Sequence, residues 1–320
     1  MKYLIEYLRR FKVSYMIFNF FYKKKLHYNE VAYKLVGINK KYYSPISSKD
    51  FEKLPNERDD LKIPKKEDLV KDSLWQMLND ENQQSLIDFS ENGYAILKGY
   101  FENEKVDAIN NEIDKLLESN TLNFRYRNKI MFAIHKSNLL WQLGTEKKLS
   151  ALLSTILGGN AILFQSINFL KGSEQATHSD TIHMTTYPLG GLLGVWIALE
   201  DTDAQNGPLH YFKGSHKLPY LLNKDYQNEG DYFRIGNKTY NDYEQMIANE
   251  IALLGLKKEI FYAKKGDVLI WHANLLHGGE PQLDMSRTRK SMVLHYFKKG
   301  SICYHEVSQR PALFSSQKTN

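Results

Sequence analysis

A single cysteine, Cys303, stands among the 320 residues. That leaves no disulfide framework and no cysteine-based zinc site, and it suits a reducing compartment such as the cytoplasm. Long apolar runs are missing too. The stretch Val13 to Tyr22 has about ten residues, where a bilayer-spanning helix needs about twenty. It contains Asn19 and is not followed by a small-residue cleavage site, which argues against a signal peptide. Charge of one sign is also scarce. Forty-three Lys and Arg against 37 Asp and Glu give a net charge of +6, with the acids spread through the chain. Without a basic stripe interleaved with aromatics, or a known nucleic-acid motif, no nucleic-acid partner is expected. Aromatic residues are plentiful. Twenty-one Tyr and 16 Phe favour a β-rich interior, and 42% hydrophobic residues can bury one sizeable core.

Taken in order, residues 1–45 read as a basic, aromatic helical segment. Leu4, Ile5, Leu8 and Phe11 repeat at helical spacing among Lys2, Arg9, Arg10 and Lys12, and Lys23 to Lys25 close the apolar run. Two readings fit: helices packed on the main domain, or an interfacial helix on an anionic membrane. Residues 46–90 form a Pro- and Ser-rich linker followed by a helix. Residues 91–300 bring a helical stretch from Val106 to Leu117, a helix from Leu149 ending at Gly158-Gly159, and then short strands. Those strands fall at 161–170, 192–199, 208–212, 267–271 and 290–297, with Gly-rich turns between them. Many short strands without alternating helices predict an antiparallel barrel or sandwich. The polar, Tyr-rich insertion at about 221–258 reads as a lid or substrate loop. Residues 301–320 remain as a tail.

The chemistry centres on Ala176-Thr177-His178-Ser179-Asp180-Thr181-Ile182-His183. On an extended backbone, His178 and Asp180 point to the same side. An imidazole and a carboxylate are two of the three ligands of a facial iron(II) site, although this triplet also fits a polar loop without metal. His277, in Leu-Leu-His-Gly-Gly, is the best third ligand, since a barrel brings distant strands together. Three ligands leave three coordination positions for a bidentate 2-oxo acid and dioxygen. On the last strand, alternation sets Arg289, Ser291, Val293 and His295 against Lys290, Met292, Leu294 and Tyr296. With the first set facing the barrel, Arg289 is a buried cation that calls for a carboxylate held bidentately, and Ser291 can add a hydrogen bond. His183 reads either as a pocket residue or as structural. His216 reads as stabilising its loop, and His272 as supporting rather than ligating.

These motifs, in this order, resemble the phytanoyl-CoA dioxygenase family of Fe(II)/2-oxoglutarate oxygenases. The matching text is Gly93 to Phe101, His178-Ser179-Asp180, Trp196 to Asp201, Asn206-Gly207-Pro208-Leu209 and Gly214-Ser215-His216. Gly266-Asp267, His277-Gly278 and Arg289-Lys290-Ser291 complete the series, which covers about residues 90–300. The resemblance implies a mostly β fold with flanking helices around a double-stranded β-helix (jelly-roll, cupin-like) core. It also implies iron(II) on His178, Asp180 and His277, 2-oxoglutarate on Arg289, and dioxygen as oxidant. Trp196 matches a family position near the co-substrate, and Lys129 matches a lysine that touches it. The likeness departs at Gly279, where the phytanoyl-CoA enzyme has a serine.

The function so implied is hydroxylation with release of succinate and carbon dioxide. Related halogenases leave the carboxylate position empty for chloride, and Asp180 disfavours that outcome. Two other readings stay open: a metal-free binding or structural member of the same fold, and a metal hydrolase or isomerase using the same triad. No stretch marks a coenzyme A site. The expected substrate is a small molecule, or one linked to a lipid or a glycan precursor. The basic-aromatic start adds the expectation of peripheral contact, through residues 1–25, with the inner face of a membrane.

Overall fold

β-Branched and aromatic residues, set between Gly-rich turns, form thirteen short strands among the described residues. A computed structural model describes residues 8, 10–55, 58–125 and 128–314. A seven-stranded antiparallel sheet forms the main wall. Its order is β1 (Tyr94–Leu97), β9 (Val268–His272), β6 (Leu192–Ala198), β11 (Ser291–Lys298), β4 (Ala161–Phe169), β3 (Lys129–Met131) and β2 (Phe124–Arg125). A second sheet of β10 (His277–Gly279), β7 (Leu209–Tyr211) and β8 (Glu259–Phe261) faces it. The third sheet is β13 (Arg310–Pro311), β12 (Ile302–His305) and β5 (Thr185–Tyr187). The core is a double-stranded β-helix.

Strand alternation divides the main wall between two interiors. On β6, Val195 and Ile197 pack outward with Met292 and Leu294 of β11 against helices α3 (Asp80–Ile87), α4 (Asn103–Glu118), α5 (Asn138–Gly144) and α6 (Lys147–Leu157). Trp196, Ala198 and Val293 point inward and meet Leu209, Tyr211 and Phe261 of the second sheet. This is why every residue of β6 is buried, a run that shows no alternation in the sequence. The expected split of the last strand is the observed one, and the strand begins at Ser291 rather than Lys290.

The first segment holds α1 (Lys12–Phe21) and α2 (Tyr28–Val36). The repeat expected through Leu4 and Ile5, with Lys2 and Arg9, lies outside the described residues. The helix does not run through Phe11, whose backbone is extended (φ −90°, ψ 125°) and bridges to Arg234. Tyr33, Ile46 and Phe51 pack onto Tyr187, Ile302 and Tyr304 of the third sheet. The region at 221–258 differs from its reading as a loop, because α7 (Tyr240–Leu254) occupies its second half. Thr239 and Asp242 form a reciprocal capping box at its start, and Gly255 ends it at φ 60°.

Candidate metal centre

His178 and His277 come together through their own backbones. Each N–H donates to the other's carbonyl at 2.9 Å, so strand pairing rather than side-chain attraction sets the distance. Ser179 continues extended (φ −106°, ψ 148°), and Asp180 then opens a single 3₁₀ turn. The i, i+2 spacing therefore keeps His178 and Asp180 on one side although no long strand runs through them. His178, Asp180 and His277 are each 5% exposed, and one donor atom from each lies within 4.8 Å of the others.

Hydrogen bonds leave the facing atoms with the right lone pairs. Nδ1 of His178 lies 2.9 Å from the carbonyl of Ala176, and Nδ1 of His277 lies 2.9 Å from that of Leu275. A carbonyl only accepts, so Nδ1 carries the proton and each Nε2 keeps its lone pair. Both Nε2 atoms are 3.8 Å from Asp180 Oδ1. The other oxygen, Oδ2, accepts from Trp271 Nε1 at 2.7 Å and has His295 Nε2 at 3.4 Å. Burial lowers the pKa of His178 to about 3, so its imidazole stays neutral. Burial alone would raise the Asp180 pKa, but the imidazoles of His277, His295 and His178 outweigh it and hold the carboxyl below its usual range. Two imidazole nitrogens and one carboxylate oxygen thus face one another as a donor set that suits a divalent cation.

Arg289, two residues before the start of β11, is 2% exposed. Its Nε donates to Gly207 O at 3.1 Å and its Nη1 to Ser291 Oγ at 2.6 Å. The guanidinium lies 5.7 Å from the Phe169 ring and 5.8 Å from that of Trp196. Among the described residues no carboxylate pairs with it, and burial lowers its pKa to about 10. A buried cation without a counter-ion is costly, and an incoming carboxylate removes that cost. Lys129, half-buried on β3, reaches the centre through a relay. Its Nζ donates to Gln175 Oε1 at 3.0 Å, and Gln175 Nε2 lies 3.1 Å from His178 Nε2.

Three supporting residues carry no signal of their own in the sequence: Trp271, Gln175 and Gly194. His295 lies on the inward face of β11, which strand alternation sets apart together with Ser291 and Val293. Gly194 pairs with Trp271 across β6 and β9, and a Cβ there would overlap the indole carbon Cε2. Other histidines serve structure. His272 Nε2 lies 3.0 Å from Asp60 Oδ2, and His216 Nε2 lies 3.1 Å from Ser90 O. His183 sits against Tyr240 of α7 with ring centroids 4.8 Å apart, and 6.3 Å from the His178 ring. The same helix reaches the motif at Tyr243, whose hydroxyl lies 3.3 Å from Ser179 N.

A sequence model of the phytanoyl-CoA dioxygenase family (PhyH) matches residues 89–289, well over half of the chain. The chain belongs to the phytanoyl-CoA dioxygenase family. Within it, phytanoyl-CoA dioxygenase domain-containing protein 1 of Bos taurus is 37% identical over 94 residues, 28% of this chain and 32% of that protein. The chain thus matches about a third of that relative's length. Ectoine dioxygenase of Stutzerimonas stutzeri is 25% identical over 227 residues, 62% of this chain and 71% of that one. Among solved structures, the non-haem α-ketoglutarate-dependent carbocyclase SnoK from nogalamycin biosynthesis superposes with a TM-score of 0.60 at 16% identity. That match covers 76% of this chain and 95% of the other. It shares the fold of this family member.

Proposed function

We propose that this chain is an iron(II)- and 2-oxoglutarate-dependent dioxygenase that hydroxylates a small organic substrate, with release of succinate and carbon dioxide. The observation that carries the reading is the convergence of two imidazole Nε2 atoms and one carboxylate oxygen in a buried cluster, each with its remaining polar atom already engaged. His178, Asp180 and His277 would hold iron. The unpaired, buried Arg289 would hold the distal carboxylate of 2-oxoglutarate, with Ser291 at its side. Bound iron supplies dioxygen activation coupled to oxidative decarboxylation of 2-oxoglutarate.

The chain's own residues supply position and dryness. Trp271 and His295 keep Oδ2 of Asp180 turned away from the metal face, so one oxygen is presented. Trp196 and Phe169 wall the guanidinium and exclude water, which strengthens its attraction for a carboxylate. Gln175 must release His178 Nε2 when a cation binds, and it stays tethered to Lys129. The polar groups of Gln175, His183 and Tyr240 beside the ligands suit a hydroxylated molecule better than a bare hydrocarbon. The narrower substrate class is a lipid-linked or glycan-precursor molecule, met by an enzyme at the inner face of a membrane. The exposed basic and aromatic surface of the first segment supports it.

The test is succinate release from 2-oxoglutarate across a panel of free and lipid-linked saccharides, with iron(II). Substrate-stimulated succinate that disappears in His178→Ala supports the proposal. Turnover that needs no 2-oxoglutarate contradicts it.

A further inference from the structure

Helix α1 turns its polar side inward. Its single buried residue is Asn19, whose Nδ2 donates to Tyr43 O at 3.0 Å. Val13, Ile17, Phe20 and Phe21, spaced i, i+4, i+7 and i+8, lie together on the solvent side of the helix at 53%, 56%, 48% and 79% exposure. A second, distant segment enlarges this surface. Lys12 N donates to Phe233 O at 2.8 Å and Ile235 N donates to Arg10 O at 2.9 Å, which pins the 231–235 loop against the start of α1. The tip of that loop is Tyr232 and Phe233, 87% and 70% exposed. Neighbouring apolar residues exposed to this degree mark a surface that meets something else.

The charge around the patch identifies the partner. No Asp or Glu occurs between Arg10 and Asn29, while Arg10, Lys23, Lys24 and Lys25 are all exposed. Lys23 Nζ lies 4.6 Å from the Phe20 ring centroid, at the border of the apolar surface. In the adjoining loop, Asp231 is occupied by Arg234 and by the backbone of Phe233. A second copy of the chain would set lysine against lysine across the contact. No described helix is long and apolar enough to cross a membrane. A short apolar face ringed by cations instead suits shallow insertion at a negatively charged lipid surface.

We propose that α1 and the Tyr232-Phe233 tip together form a docking surface for an anionic lipid bilayer. The aromatics enter the headgroup boundary and the lysines meet lipid phosphates. Two segments more than 200 residues apart share the task, so both must be folded for full binding.

The experiment is co-sedimentation of the full chain with phosphatidylglycerol/phosphatidylcholine vesicles and with phosphatidylcholine vesicles, at low and at physiological salt. It needs neither iron nor 2-oxoglutarate, so it fails or succeeds separately from the catalytic proposal. Binding should require phosphatidylglycerol and weaken with salt. Phe21→Glu, Phe233→Glu and the combined Lys23→Glu, Lys24→Glu, Lys25→Glu protein should each bind at least about tenfold more weakly, given about fivefold per basic residue. Their melting temperatures should be unchanged, because these side chains are exposed. Absence of binding to anionic vesicles at low salt overturns the proposal. So does binding that Phe21→Glu and Phe233→Glu leave untouched, or self-association without vesicle binding that Phe21→Glu abolishes.

Discussion

Trp271 Nε1 donates to Asp180 Oδ2 at 2.7 Å, and this bond decides which carboxylate oxygen faces the two histidines. Without it, Oδ2 keeps only His295 Nε2 at 3.4 Å and the carboxylate is free to rotate. Trp271→Phe retains a ring in the same place and removes the donor. Partners of metal ligands typically contribute about 10–100-fold in metal affinity. We expect a loss of that order in iron(II) affinity, read by anaerobic calorimetry, with the fold intact by circular dichroism. Unchanged affinity would show that the indole serves packing alone.

Gly194 makes room for that indole. In Gly194→Ala the new methyl group overlaps Trp271 Cε2, on a strand buried on both faces where relief is hard. Overpacking of this kind costs about 1–3 kcal/mol. The variant should melt earlier than wild type and also bind iron(II) more weakly, whereas Trp271→Phe should mainly lose affinity. A Gly194→Ala protein with wild-type melting and affinity would place the close approach elsewhere.

Two neighbouring arginines provide an internal comparison. Arg289 is buried, whereas Arg287 is a half-buried residue in a solvent-facing pair with Asp203 at 2.9 and 2.8 Å. Losing a buried, charge-assisted pair costs about 2–5 kcal/mol, while exposed pairs contribute about 0–1 kcal/mol. Arg289→Ala should therefore raise the 2-oxoglutarate concentration needed for half-maximal succinate release by about 30-fold or more. Arg287→Ala should change it by no more than about fivefold. The reverse ranking, measured by succinate assay, would move the co-substrate site.

Much of this was visible in the chain. His178 and Asp180 are two residues apart, so local geometry alone puts them on one side. The motif series supplied the family and the core fold, and alternation along one strand sorted Arg289, Ser291, Val293 and His295 from their neighbours. The supporting residues were not visible for a shared physical reason. Trp271 sits 91 residues from Asp180, and its contact with Gly194 crosses two strands whose register no local pattern reports. Gln175 is close in sequence, but its role depends on Lys129 from another strand. Helix α7 had a signal in Thr239-x-x-Asp242, obscured by the polar, tyrosine-rich text around it. In α1 the apolar run was plain, but the inward turn of Asn19 is a property of the folded chain.

Buried histidines outside the ligand set make the fold sensitive to acid. Burial lowers the pKa of His216 and of His305 to about 4 each. Unfolded, each titrates near ~6.5. Between about 6.5 and 4 the unfolded chain binds these protons and the native chain does not, so stability is complete above that window and falls as pH drops through it. Melting temperature should decline from pH 7 to pH 4, and His305→Gln should decline less steeply over the same range. Equal slopes for the two proteins would mean that His305 is protonated in the folded state.

The central claim is that His178, Asp180 and His277 form one iron site. The most direct measurement is an anaerobic calorimetric titration of iron(II) into wild type and His277→Ala, each with 2-oxoglutarate present. The account predicts one site per chain in wild type and no measurable binding in His277→Ala at the same concentrations, with circular dichroism unchanged. An isotherm for His277→Ala that overlays the wild-type curve would contradict it.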